Sequence, residues 1–226
     1  MTNRANLLGR KFIALLLMII IVILILILHF NNNKKTYTDE DFGIKTIISD
    51  NDYDNDGIDD YTDILQGAKE YMKDKPPYKS KYYIGGYPDD KYAVCTDLIW
   101  YALQSAGYDL KSAVDLDIAE NTDYYLNEGE QPDSNIDFRR VRNLKKFFEK
   151  NEQSLTLDTS LISQWQRGDI VTFSESHIAI ISDKRNKDGV PYIIHQSPRR
   201  KSEADLLNHY TIDGHFRITD NEIFEK

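Results

Sequence analysis

The chain has a single cysteine, so no disulfide can close within it. A lone thiol is then either an inert member of the core or a reactive group. Basic charge is also short: 28 Lys and Arg stand against 37 Asp and Glu, for a formal net charge of −9. Nucleic-acid binding wants a basic stripe, so this balance argues against it. There is no internal repeat, and no organic cofactor is expected. Aromatic residues are not scarce, at 12% with 15 Tyr, which is enough for a real core in one ordinary domain with appendages.

Charge is absent altogether from Phe12 to Leu28, an apolar run that Phe30 extends beyond His29. At about 1.5 Å per residue, such a run just crosses a bilayer core of roughly 30 Å. No small-x-small cleavage site follows, and there is no cysteine for a lipid; the next residues are Asn31, Asn32, Asn33, Lys34 and Lys35. Arg4, Arg10 and Lys11 precede the run and favour a cytoplasmic N-terminus. The segment 12–30 therefore reads as an uncleaved transmembrane signal anchor, with 1–11 cytoplasmic and the rest outside a single-pass cell membrane. A cleaved signal peptide places the rest outside as well. Residues 31–49 read as a linker with an extended piece at Ile44–Ile48.

Apolar spacing predicts a helix through Tyr61, Ile64, Leu65, Ala68, Tyr71 and Met72, stopped by Pro76 and Pro77. Further helices are expected over Cys95–Ala106, Leu110–Glu120 and Val141–Lys150, with 122–138 irregular. Strands are expected at Asp169–Phe173, His177–Ser182, Pro191–Gln196, His209–Ile212 and His215–Ile218. Helices first and strands later imply an α+β domain with an antiparallel sheet.

Residues 50–72 combine an acidic loop with that first helix. From Asp52 to Asp63 the loop has carboxylates at positions 1, 3, 5, 9 and 12, which are Asp52, Asp54, Asp56, Asp60 and Asp63. Gly57 stands at position 6, where a sharp turn is needed, and the carbonyl of Ile58 supplies position 7. Calcium takes six to eight oxygens, so this spacing points to a structural calcium ion. Asp59 at position 8 and Asp63 in place of Glu depart from an EF-hand; the apolar residue after Gly is more similar to bacterial thrombospondin-type loops. The alternative is a solvated acidic linker.

Cys95 opens a helix, where unpaired N–H groups and the dipole favour a thiolate. A symmetric hairpin about the Asp183–Gly189 turn sets His177 opposite His195, with Cβ atoms roughly 5 Å apart. A thiol with two facing imidazoles suits a nucleophile, a base and its orienter. An inert core cysteine is the alternative. Asp97 reads as a helix-dipole partner, and His209 and His215 as structural.

These residues resemble a family. Tyr82-Tyr83-Ile84-Gly85-Gly86, Cys95, Trp165-Gln166-Arg167-Gly168-Asp169-Ile170-Val171, His177-Ile178-Ala179-Ile180 and Ile193-Ile194-His195 are similar to papain-like cell-wall peptidases of the NlpC type. A closer resemblance is to domain-of-unknown-function family 1287. It is carried by Gly57–Asp63, Val94–Asp97, Asn135–Leu144 and Gly214–Arg217. The resemblance implies that 73–226 is a papain-like hydrolase domain with nucleophile Cys95, base His177, orienter His195, and Tyr82 helping to hold the oxyanion. Val94, Thr96 and Asp97 depart from the Asp before and Ser-Gly after the cysteine that such peptidases carry. Arg139 and Arg140 are candidate clamps for a substrate carboxylate, with a structural ion pair as the alternative. The function so implied is an extracytoplasmic peptidase or amidase acting on peptidoglycan peptides. The alternatives are an inactive, calcium-stabilised wall-binding module, or a lipid acyl transferase using the same dyad.

Overall fold

The computed structural model describes residues 13–26, 36–198, 202–219 and 222–224. The chain divides into two compact units, Met1–Thr36 and Tyr37–Lys226. In the first, 13–26 are helical (α1), with every described side chain exposed. Among the described residues no helix is long and apolar enough to cross a membrane. The remainder of the 12–30 segment, and all of 1–11, lie outside the described residues.

The second unit is α+β. Its helices are α2 (Asp60–Tyr71), α3 (Cys95–Gln104), α4 (Leu110–Glu120), α5 (Thr122–Tyr125) and α6 (Val141–Asn151). Its strands are β1 (Gln153–Ser154), β2 (Ile170–Phe173), β3 (His177–Arg185), β4 (Pro191–Ile194), β5 (Glu203–Ala204) and β6 (Ile212–Arg217). They form one six-stranded sheet in the order β1-β6-β2-β3-β4-β5, with every neighbouring pair antiparallel. The two C-terminal strands expected at 209–218 are one strand, β6, entered by a 3-10 turn at Leu207–His209. The stretch expected to be irregular carries α5 and a 3-10 turn at Asp137–Arg139.

Period-two alternation explains how the sheet is used. Ile170, Ile178, Ile180, Ile194 and Phe216 point to one face and join the apolar sides of α2, α3, α4 and α6. Val171, Phe173, Ala179, Ile181 and Ile193 point to the other, where Trp165, Leu206 and Leu207 cover them. Both faces are therefore buried. Helix ends follow local chemistry: Asp59 caps α2 through Thr62 N, and Asp109 caps α4 through Ser112 N at 3.1 Å.

Most of the expected linker is docked instead of free. Tyr37 bridges to Arg185 by backbone hydrogen bonds in both directions, at 2.9 and 2.7 Å. Asp39 pairs with the buried Arg185 guanidinium, and Ile47 N donates to Gln166 Oε1 at 2.9 Å. The reason is the outer segment of β3: it needs a cover for its guanidinium and its backbone, and 37–47 supplies both. Ile44–Ile48 forms no strand.

Candidate active site

Cys95 is the first residue of α3 and is 4% exposed. The turn beneath it is fixed by Asp97, whose carboxylate accepts from Val94 N at 2.8 Å and from Trp100 Nε1 at 3.3 Å. The same carboxylate takes a bidentate grip from Arg139, Nε at 2.7 Å and Nη2 at 2.9 Å. Asp97 is thus more than a dipole partner; it is half of a buried ion pair.

The thiol lies against the backbone N–H groups of Ile178 and Thr96, which favour a thiolate. Burial outweighs them and pushes the thiol up to about 11. The helix N-terminus alone leads to the opposite expectation, and desolvation is what reverses it.

His177 is the first residue of β3, the neighbour of Ile178. Its Nε2 meets His195 Nδ1 at 2.8 Å, with ring centroids 5.1 Å apart at 77°. Burial, then the neighbouring His195, pushes the His177 imidazole down to about 4. Phe173 and Tyr210 flank its ring at 6.0 and 5.9 Å. The register is not the symmetric one. Ile180 pairs with Ile194 and Ile181 with Ile193, so His195 extends the ladder beside Ala179, diagonal to His177. The hairpin closes at Arg185–Pro191, four away from the symmetric pairing, and the irregularity between Ile181 and Arg185 takes back two, which leaves the pairing two away at Ile181. An even shift keeps both imidazoles on one face, so they still meet. Among the described residues no hydrogen bond joins the Cys95 thiol to His177.

Tyr82 does not fit the role expected of it. Its side chain is 57% exposed and its hydroxyl donates to Asp133, with Oδ2 at 3.0 Å. Tyr78 is the tyrosine that senses Cys95: burial, then the charges of Cys95 and Asp97, raise its phenol. Tyr78 pairs with Ala93, two residues before the cysteine. Sequence reasoning passed it over because the Gly85-Gly86 pair drew attention to Tyr82. Tyr78 lines a cleft of about 680 Å³ with Met72, Pro76, Gln196, Ser197 and Glu203. Neither Cys95 nor His177 lines this cleft; Gln196, the residue after His195, does.

The two arginines are committed elsewhere. Arg139 is 6% exposed and gives its third nitrogen, Nη1, to Lys81 O at 2.9 Å, so all three nitrogens are engaged inside the fold. Its face covers the Tyr83 ring at 5.0 Å. Arg140 pairs with Asp137 at 3.0 Å. His215 is structural as expected: buried, stacked on Trp165 at 3.8 Å, and bonded to Asp169 at 3.0 Å.

In the acidic loop, Asp52, Asp54 and Asp56 are exposed and offer oxygens within 4.8 Å of one another. Gly57 has φ +94°, as the turn requires. Ile58 N donates to Asp56 Oδ1 at 2.8 Å. Asp60 does not join the trio. It is 1% exposed, accepts from Tyr53 N at 2.9 Å, and takes the Tyr108 hydroxyl on its other oxygen.

A family model described as a domain of unknown function (DUF1287) matches residues 65–218. The chain is also similar to the uncharacterized protein YijF of Escherichia coli (strain K12). The two are 34% identical over 164 residues, which cover 68% of this chain and 80% of that protein. No solved structure matches it.

Proposed function

The chain belongs to the DUF1287 family of domains of unknown function, and for this member we propose a thiol hydrolase of amide bonds, of the papain-like NlpC kind. The observation that carries this reading is the His177–His195 imidazole pair at the end of the sheet where Cys95 opens α3. His177 meets His195 through Nε2, which leaves Nδ1 to take a proton. The resting pair is a neutral thiol and a neutral imidazole, because burial disfavours both charges. Substrate closes the gap between them, as catalytic hydrogen bonds commonly tighten on binding. The thiol proton passes to His177 Nδ1 as sulfur attacks the carbonyl carbon. The tetrahedral intermediate then expels the amine, which takes that proton. Water, deprotonated by the same imidazole, splits the thioester and restores the thiol. His195 orients His177. Tyr78, in place of Tyr82, and the N–H groups at the start of α3 are the oxyanion donors. Peptidoglycan peptides as substrate, and an anchored, extracytoplasmic position, rest on the family resemblance and on the apolar run at 12–28.

A second reading, a non-catalytic module, is favoured by the burial of the thiol and its missing bond to His177. Iodoacetamide labelling of the one cysteine, with and without soluble peptidoglycan fragments, separates the two readings. On the hydrolase reading, labelling of the full chain at pH 7 slows at least about tenfold in His177→Ala. Mass analysis then finds fragments that Cys95→Ala does not release. Tyr78→Phe slows that release by roughly 10²–10³ and Tyr82→Phe leaves it unchanged. Labelling indifferent to His177, with no fragments released, establishes the module.

A further inference from the structure

We propose that a cleft walled by Tyr71, Tyr92, Trp100 and Tyr101 binds a neutral saccharide. Its volume is about 450 Å³, inside the range of roughly 300–1,000 Å³ that small-molecule sites occupy. Tyr71 ends α2, Trp100 and Tyr101 lie on α3, and Tyr92 stands shortly before Cys95. All four are only half-buried. The rings are held before any ligand arrives. Tyr71 meets Tyr101 at 4.9 Å, and Trp100 meets Tyr87 edge-on at 4.8 Å. Trp100 Nε1 is tied to Asp97 Oδ1 at 3.3 Å.

The polar groups of the cleft point to the class of ligand. Among the described residues the hydroxyls of Tyr71, Tyr92 and Tyr101 have no hydrogen-bond partner. Burial raises the Tyr71 phenol, so this hydroxyl is drawn from water without gaining a protein partner. Such a group is costly until a ligand pairs with it. Glu70, Asp74 and Asp90 add carboxylates, which only accept. A ligand that answers this lining needs hydroxyls, which donate and accept, and an apolar face for the rings. A pyranose has both, with C–H groups on its faces and hydroxyls round its edge.

Charge argues for a neutral ligand. Glu70 pairs with Lys73, and Asp90 with Lys81. The ammonium groups of Lys79, Lys81 and Lys91 stand 5.1, 4.4 and 5.6 Å from the centre of the Tyr92 ring. They repel a further cation at that ring. An anion would meet the three carboxylates instead. A proline-rich peptide fits aromatic grooves, but proline has no N–H to offer, so it leaves the carboxylates unanswered. Pro76 and Pro77 line both this cleft and the one that holds Tyr78 and Gln196, so the two are neighbours.

The test is titration of the full chain, in a detergent without a sugar head group, with cellotetraose, maltotetraose and chitotetraose. Binding is read by tryptophan fluorescence and calorimetry. At least one of the three should bind by about 10 mM. Its affinity should not change between about 50 and 500 mM salt, because the ligand carries no charge. Tyr92→Ala and Tyr101→Ala should weaken binding at least about tenfold, with melting temperatures near wild type. Tyr71→Phe and Tyr101→Phe each remove one hydroxyl and should weaken it about 2- to 10-fold. These two keep their rings, so they decide the matter should an alanine variant not fold. Tyr82→Ala, outside the cleft, should bind as wild type. Binding is read and not turnover, so the result stands apart from hydrolysis by Cys95. No binding of any of the three at about 10 mM, or an affinity undiminished in all four cleft variants, would overturn the proposal. Tighter binding of a proline decamer or of tetramethylammonium than of any saccharide would overturn it as well.

Discussion

Replacing Asp97 by Asn keeps the shape of the side chain and removes its charge, which is a direct test of what holds the start of α3. Asp97 is fully buried and Arg139 is 6% exposed. With the carboxylate gone, the guanidinium keeps Lys81 O at 2.9 Å and the Tyr83 ring at 5.0 Å, but no counter-charge. Stranding one member of a buried pair costs about 3–5 kcal/mol. For a protein of this size that corresponds to a Tm loss of roughly 6–20 °C. Arg139→Met alone should be similarly severe, since it strands the carboxylate. The double variant should recover much of the loss, because an apolar side chain of comparable length needs no partner. A denaturant series on all four proteins gives the coupling energy, expected to be at least about 2 kcal/mol. An Asp97→Asn protein within about 2 °C of wild type, or additivity within about 0.5 kcal/mol, would refute the reasoning. An Arg139 reserved for substrate would be indifferent to Asp97 in this cycle.

Two further predictions concern pH and packing. Unfolded His177 titrates near 6.5 and the folded group near 4, so below pH 6.5 the unfolded chain binds a proton that the folded one refuses. Stability should fall by about 3 kcal/mol between pH 6.5 and 4, a loss absent in His177→Ala; equal acid sensitivity of the two proteins in denaturant titrations would contradict this. Cys95 acts in the opposite direction: its raised pKa removes stability only above pH 9, as the unfolded thiol ionises first. Gly67 lies inside α2, where Ala ordinarily gains about 1 kcal/mol. Here its Cβ would meet Ser105 Oγ at 2.2 Å and Ala102 Cα at 3.2 Å, so Gly67→Ala should lower stability by about 1–3 kcal/mol, and a rise in Tm would show that the α2–α3 contact yields easily.

How much of this was legible depends on the range of the interaction that decides each element. Helix α4 was expected over Leu110–Glu120 and is found there, because its cap at Asp109 and its apolar spacing are both local. The single strand β6 was expected as two, at His209–Ile212 and His215–Ile218, with Asp213 and Gly214 between them. The strand continues through them because β2 pairs on both sides, Thr172 with Gly214 and Phe173 with Ile212, while Asp213 is passed over as a bulge. For Gly214 that is a partner 42 positions away, which no local pattern announces. The docking of 37–47 was invisible for the same reason: Arg185 and Gln166 are the residues that demand a cover, and both lie far along the chain.

The histidine pair shows where a wrong register can still lead to a right contact. Direct opposition of His177 and His195 assumed an even turn about Asp183–Gly189; the turn closes instead at Arg185–Pro191, and after the irregularity before it the pairing stays two away from that symmetry. Had the shift been odd, one imidazole would have crossed to the helix side of the sheet. Side-chain parity, unlike register, follows from the sequence within each strand, and it survives every even error in the turn. The protonation of Cys95 is the converse case. Its position at a helix start was readable, but the sign of its pKa shift was not. That sign is set by burial among side chains from α2, α4 and the sheet, and burial belongs to the packed molecule. Tyr78 and Tyr82 differ in the same way: both stand upstream of the cysteine, and it is the bridge to Ala93 that brings Tyr78 beside the segment leading into Cys95. A site built on a helix end and a strand end is therefore legible in its members before it is legible in its electrostatics.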